Sequence, residues 1–576
     1  MKARRKNMNS IKSFLLAGLC VILFSLEGMA QDLDQISFKK GLTMSGGLNV
    51  NNTFYSGSDS LIKRDPYQLI LNGNVNFNLW GVDMPFSFSY TNSSKSYTQP
   101  FNKFQLAPKY KWVKLYLLDA SMNFSQYTLA GHNFRGVGME LTPGNWYIGA
   151  MYGRLLKAVE YDPIEDNVQD VAYKRMGYGM KVGYTLPSTD VNVTYFSAKD
   201  DENSLEYMVP AEADLHPQRN TAVSAYLRQA FLKYFYVQAE YAFSVYNSEI
   251  RNESGDTAKT SNFIDKVFNK KGNDRYVDAV SASVGYQGPV WGLALCYERV
   301  APDYQTLGGY YFTNDLENYS IAPNVKLFQG KLSLSGKLGF EYNNLNNQRA
   351  DDTRRIVSSA NASFSSGKAW TASLSYSNFS TYTKYKKTAY PYYTDDLDSL
   401  NFYQVTQSYN AMVGYAFGSE TLTHSISLNS AYQKGNSEKE DVRMNMSDIV
   451  SGSLSYSESF VPVAFTWAAF AAVNYADAGG MESLYWGPGL NCSKGFLKNK
   501  LNTSLSCAYN RNRVNGKDAS SLLNSSLSLQ YLLDAIDKKF GNHSLSASAN
   551  MTNRFRTSAS NKGYEFLATL NYGITF

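Results

Sequence analysis

The chain has 576 residues, of which 44% are apolar, 15% aromatic and only 18% charged, with 45 Tyr and 32 Phe against 7 Trp. So much apolar and aromatic material excludes a disordered chain, which combines low hydrophobicity with high net charge. The excess of 55 bases over 49 acids is concentrated in the first 30 residues (Lys2, Arg4, Arg5, Lys6 and Lys12 against Glu27), and the remainder, 50 bases against 48 acids, has no overall basic surface for nucleic acid.

Residues 1–30 join that basic start to the apolar run Phe14 to Leu26, thirteen residues and too short to cross a bilayer, and end in Gly28-Met29-Ala30 before Gln31. This order predicts a signal peptide over 1–30, followed by a short periplasmic segment over 31–41. Cys20 would suit a lipoprotein, but it lies inside the apolar run behind Leu19, where a small residue is needed. The other cysteines, Cys296, Cys492 and Cys507, are odd in number for an exported chain, so at most one pair is oxidised. They read as small apolar strand residues.

Beyond residue 30 no run reaches the length of a transmembrane helix; the longest, Val461 to Val473, is thirteen residues and contains Pro462 and Thr466. Period-two alternation replaces it. From Gln68 to Trp80 one face carries Leu69, Leu71, Gly73, Val75, Phe77 and Leu79 and the other Asn72, Asn74, Asn76 and Asn78. Between Lys331 and Tyr342, Leu332, Leu334, Leu338 and Phe340 share a face opposite Ser333, Ser335, Lys337 and Glu341. A soluble sandwich also alternates. Here, however, the strands run ten to fifteen residues, long enough for a tilted membrane crossing. Short turns alternate with long loops along the entire chain, and Tyr gathers toward strand ends, as at Tyr234, Tyr236, Tyr241 and Tyr246.

These features predict one all-β domain over 42–576, a single large antiparallel transmembrane barrel of about 26 strands, from 42–55 and 67–80 to 541–553 and 563–576. The weakest stretch is 104–122, where Pro108 interrupts; losing a pair there would leave 24 strands. An even count places both mature termini on the side of the short turns, the periplasm.

In the last predicted strand Phe576, Ile574, Tyr572, Leu570, Ala568, Phe566 and Tyr564 share one face. This resembles the C-terminal strand of Gram-negative outer-membrane barrels, except that Asn571 stands where that signal commonly has Gly. The segments Tyr127-Thr128-Leu129-Ala130-Gly131-His132, Glu140-Leu141-Thr142-Pro143-Gly144 with Tyr152-Gly153-Arg154, and Asn314-Asp315-Leu316-Glu317-Asn318 resemble uncharacterised Bacteroidota barrels. The resemblance implies the cell outer membrane, lipid surroundings, and recognition of Phe576, Ile574 and Tyr572 by the barrel-assembly machinery. It implies no activity.

No motif for catalysis or cofactor binding occurs. Of the four histidines, His216 falls in a loop and His424 and His543 near periplasmic turns, while His132 shares a lumen face with Glu140 eight residues away, beyond hydrogen-bond reach. The run Asp395-Asp396-Leu397-Asp398 lacks the spaced pattern of a calcium loop. No catalytic residue, metal or cofactor is therefore assigned, and the protein reads as a non-enzyme.

Large barrels with a globular plug carry more than a hundred residues ahead of the first strand, whereas Gln31 to Gly41 gives eleven. With no separate plug domain, so wide a ring would leave a hole. The loops 200–219, 247–274, 302–315 and 383–400 are the material to fill it. Gly136, Gly138, Gly149 and Gly153 fall on the inner wall, either to seat another piece of chain or to ease curvature. Lys337, Glu341, His132 and Glu140 are expected to face the lumen. Tyr304, Tyr310, Tyr311 and Phe312, beside Asp303 and Asn314, suit sugar or protein contact, or packing within their own loop. Two functions are consistent with this: a channel or conduit for solutes or an exported polymer, partly closed by inward-folded loops, or an anchor whose extracellular loops bind a surface protein or glycan. The solute or partner is not identified by any residue pattern.

Overall fold

Backbone polar groups have no partner in a hydrocarbon layer, so strands that cross it must pair on both edges and close. The computed structural model describes residues 43–58, 65–92, 102–162, 170–207, 209, 213–252, 274–310, 313–346, 354–367, 369–383, 402–439, 442–533, 541–557 and 561–576. Each strand pairs antiparallel with its neighbours in the ring, and the first, β1 (Thr43–Gly57), pairs with the last, β27 (Gly563–Thr575), from Gly47↔Thr575 to Gly57↔Glu565. The seam is sealed by Gly46 N–H donating to Phe576 O (2.9 Å) and Phe576 N–H to Gly46 O (3.0 Å).

There are 27 strand segments but 26 places in the ring. Between β3 (Val82–Thr91) and β6 (Val113–Asn123), the segments β4 (Lys103–Leu106) and β5 (Lys109–Tyr110) share one place. Both pair with β3 on one side, through Phe86↔Leu106 and Asp83↔Lys109, and with β6 on the other. Pro108 has no N–H for the ladder and breaks the strand there. The pair is nevertheless kept, because Ala107 N–H reaches Pro85 O (2.9 Å) and Pro108 O accepts from Leu115 N–H (2.8 Å). Twenty-six strands about 4.8 Å apart and tilted by about 40° enclose a ring roughly 50 Å across between backbones.

The two faces separate as alternation requires. Leu334, Leu338 and Phe340 of β16 (Leu332–Tyr342) are exposed on the outside, as are Leu374, Leu428, Leu454 and Leu490 on later strands, while Ser335 and Lys337 face in. In β2 (Tyr67–Leu79), Asn72 and Asn74 are open to the lumen, and Val75 lies outward but is buried, opposite Phe86. Aromatic pairs ring the outer face at two heights. Near the short turns stand Trp146–Tyr184 (4.9 Å between ring centres), Tyr286–Trp291 (4.3 Å) and Trp370–Tyr415 (4.4 Å). Toward the long loops stand Tyr178–Tyr195 (5.9 Å), Tyr297–Tyr319 (5.0 Å) and Tyr376–Tyr409 (4.7 Å). The six residue steps from Trp291 to Tyr297 span about 20 Å of strand, the scale of an apolar membrane band. No described helix is long and apolar enough to cross a membrane.

Two sequence expectations need correction. Loop length does not alternate to the end of the chain: β22 (Phe465–Ala478) joins β23 (Met481–Phe496) through Gly479-Gly480, and β24 (Leu501–Val514) joins β25 (Lys517–Leu533) through Asn515-Gly516. Both turns sit on the long-loop side with φ between 49° and 84°, the positive values that two-residue hairpins demand and Gly or Asn supplies. The strands also outgrow ten to fifteen residues, reaching 17, 18 and 19 in β19 (Phe402–Gly418), β20 (Leu422–Lys439) and β21 (Val442–Phe460). A strand of that length is taller than the bilayer core, so this part of the wall projects beyond it. Cys296, Cys492 and Cys507 form no disulfide.

Candidate functional site

The inner wall has two unlike arcs. On the first, from β6 to β15 (Leu316–Leu327), two connecting segments turn into the ring. One is 124–129, between β6 and β7 (Ala130–Leu141); the other is 301–315, between β14 (Trp291–Val300) and β15, of which 311 and 312 lie outside the described residues. The two meet at a parallel bridge, Leu129↔Gly308, with Ala130 N–H donating to Gly308 O (2.9 Å). Thr306 Oγ1 donates to Thr128 O (2.6 Å) and the Tyr304 hydroxyl to Tyr127 O (2.8 Å). Tyr127, Thr128, Leu129 and Tyr304 are at most 1% exposed.

The wall is shaped to receive them. A Cβ on Gly149 would stand 3.1 Å from Phe124 Cε1, and one on Gly179 3.1 Å from Phe124 Cε2, so these glycines leave the space that the ring occupies. Gly153 makes room in the same way for Phe134 (2.8 Å) and Gly138 for Met122 Sδ (2.8 Å). Gly136 differs: a Cβ there would meet Tyr152 O at 2.1 Å, so its role is the close approach of β7 to β8 (Trp146–Leu156). Gly149 and Gly179 thus seat a ring of the inward segment, whereas Gly136 serves the spacing of two strands.

Polar anchors complete the docking. Asn220, on β11 (Arg219–Phe231), donates to Gln305 O (3.1 Å) and accepts from Leu307 N–H (3.2 Å), and Ser244, on β12 (Phe235–Asn247), donates to the same Gln305 O (2.7 Å). Lys181, on β9 (Arg175–Thr185), donates to Phe124 O (2.7 Å), the Ser125 hydroxyl bonds Glu240, and the Tyr127 hydroxyl donates to Glu298 (2.9 Å). Burial raises the Tyr127 and Tyr304 hydroxyls above their ordinary range, Tyr127 further through Glu298, so both remain protonated donors. On the long-loop side, Arg175–Asp200 (2.7 Å) and Arg219–Asp274 (2.7 Å) form nearly buried ion pairs.

The residues singled out by sequence are dispersed. His132 is buried with its ring stacked on Tyr310 (4.1 Å), and its Nδ1 lies 2.7 Å from Asn133 O. Glu140, at the other end of β7, accepts from Tyr116 and Tyr147 (3.0 Å each) with Lys114 4.0 Å away. Lys337 is exposed on the lumen face, and Glu341 is buried, accepting from Asn318 (3.4 Å). Tyr304 is turned wholly inward and is unavailable to a surface partner, whereas Tyr310 is half exposed. Tyr311, Phe312, the Asp395–Asp398 run, residues 1–41 and loop 383–400 except Thr383 lie outside the described residues. Ile574 and Tyr572 pair with Leu48 and Val50, and Tyr572 OH lies 2.6 Å from His543 Nδ1. Among the described residues no three His, Cys, Asp or Glu converge as a metal site. Sequence reasoning missed segment 124–129 with its anchors Lys181, Glu240 and Glu298, and Asn220, which anchors segment 301–315; Gly179, on the same inner face as Gly149, was the available signal.

No family model matches the chain, and no curated protein matches it. Among solved structures it is similar to the P pilus usher (PapC) translocation pore, at 10% identity over 93% of this chain and 99% of that one, TM-score 0.34. It is also similar to the siderophore receptor PirA from Pseudomonas aeruginosa (11%, 92% and 80%, TM-score 0.39) and to BauA, the ferric preacinetobactin receptor from Acinetobacter baumannii (9%, 92% and 81%, TM-score 0.37). At these identities the likeness is one of fold. The closed ring, outward apolar face and paired aromatic belts make the chain a β-barrel of the Gram-negative outer membrane.

Proposed function

We propose that the barrel is a conduit for solutes or an exported polymer, its lumen partly closed by the inward-folded segments 124–129 and 301–310. The observation that carries this reading is the Tyr127–Tyr304 contact, a bond between two connecting segments (2.8 Å) that are joined again at Thr128–Thr306 and Leu129–Gly308 and otherwise anchored to the inner wall. A ring of this width needs an obstruction to preserve the membrane barrier, and segments held by hydrogen bonds can be released. Passage would run beside the second arc, from β17 (Arg354–Ser365) round to β3.

The reading includes no chemical step, since His132 is packed under Tyr310 and Glu140 is committed to two tyrosines. The last-strand pattern supports delivery by the barrel-assembly machinery, and the segments around Tyr127, Glu140 and Asn314 support kinship with Bacteroidota barrels. The rival reading, an anchor whose loops bind a surface protein or glycan, draws on the Arg175–Asp200 and Arg219–Asp274 pairs, which stiffen the long-loop side as a recognition surface would require. Conductance in planar bilayers separates the two: a conduit passes current that rises when segments 124–129 and 301–310 are released by Tyr127→Ala with Tyr304→Ala, and an anchor passes none in either form.

A further inference from the structure

The second arc differs from the first in charge. Inward-facing positions on the first arc and β16 carry Lys114, Glu140, Lys181, Glu240, Glu298 and Lys337. From β17 round to β3, the charged side chains at described inward positions are Asp83, beside a short turn, and Lys517, Arg554 and Glu565, at the long-loop rim. Between those ends the polar residues of the wall are uncharged, chiefly Ser, Thr, Asn and Gln, interspersed with apolar residues such as Met412, Phe470 and Leu522. Hydroxyls pair across strands, as in Ser425–Ser457 (2.7 Å), Ser427–Ser455 (2.6 Å) and Ser548–Thr569 (2.6 Å). The described apolar clusters that hold segments 124–129 and 301–310 lie on the other arc.

Resting on the conduit reading, we infer that this wall is the path and that its cargo is an uncharged polyhydroxylated chain, a neutral glycan. A wall without fixed charge neither attracts nor repels ions by sign, whereas charged rings set selectivity in other pores. Each hydroxyl is both donor and acceptor, so wall pairs can exchange partners with sugar hydroxyls without leaving a polar group unsatisfied. The same wall carries a platform: Phe470 lies over Gly489, where a Cβ would meet its ring at 2.2 Å, and offers an apolar face to a sugar ring. Such a surface has no countercharge for a phosphorylated or sulfated polymer, or for the charged side chains of an unfolded protein.

The test uses the full-length barrel with Tyr127→Ala and Tyr304→Ala in planar bilayers, with dextran, dextran sulfate and an unfolded basic peptide as probes. The expected result is a current with K⁺/Cl⁻ permeability within about twofold of unity, interrupted by dextran and not by the other two. Asn410→Asp and Asn429→Asp, which add charge at nearly constant volume on this wall, should turn the current cation-selective. A measurable current that is strongly ion-selective before those substitutions, is unchanged by them, or is interrupted by the peptide but not by dextran overturns the inference and leaves the conduit reading intact. No current in any variant overturns the conduit reading itself.

Discussion

Tyr304 is the position at which the obstruction can be weakened by degrees. Its ring is fully buried beside Tyr127, Ala242, Ala279 and Val300, and its hydroxyl donates to Tyr127 O at 2.8 Å. Tyr304→Phe keeps the ring and leaves a buried carbonyl without that donor, which costs about 1 to 1.5 kcal/mol. If the two segments exchange between docked and released forms, the released population rises by about five- to twelvefold. Tyr304→Ala removes the ring and leaves a cavity, costing about 3 to 5 kcal/mol and raising the released population by more than a hundredfold until it saturates. Single-channel open probability reads these populations directly, with heat-modifiable migration on gels confirming a folded barrel. A folded Tyr304→Ala barrel with the open probability of the parent would refute the role given to this segment.

Further outcomes are expected. The raised Tyr127 and Tyr304 hydroxyls give the docked form stability that is present below about pH 10, the ordinary tyrosine value, and lost above it as the released tyrosines ionise first. Open probability should climb in that window, and the rise should disappear in the Tyr127→Phe, Tyr304→Phe double variant. Leu334→Arg places a charge on the outer face and should cost about 2 to 4 kcal/mol if the residue lies near the bilayer midplane, measured by denaturant titration in lipid, while Ser335→Arg on the lumen face is tolerated. Removing Thr575 and Phe576 deletes the end of the strand proposed as an assembly signal and the Phe576–Gly46 bonds at the seam, so the yield of assembled barrel should fall. Normal outer-membrane levels would count against the C-terminal resemblance.

Strand positions and faces were legible because alternation is local: Leu332 to Phe340 declares an outer face with no knowledge of any neighbour. Pro108 likewise announced its own interruption. What the lumen holds was less legible. Segment 124–129 is short enough to pass for an ordinary connection, and its inward course is set by partners far away in sequence, such as Glu240, 115 residues from Ser125, and Glu298, 171 residues from Tyr127. Tyr304 shows the same limit: an aromatic loop residue suits a contact surface or a buried seat equally, and only the register of the closed ring decides between them. The Gly479-Gly480 and Asn515-Gly516 turns were readable as hairpins, but alternating loop length had been extended past the point where the residues supported it.

The central claim is best tested by combining conductance with loop deletion. Removing Ser248 to Asn273, most of which lies outside the described residues, should raise single-channel conductance and antibiotic entry if that loop adds to the obstruction formed by segments 124–129 and 301–310. The conduit account expects current in the parent protein and more in at least one loop-deleted or loop-released form. Conductance that stays at zero through every long-loop deletion, while attachment of a surface partner is abolished, would contradict it and establish the anchor in its place.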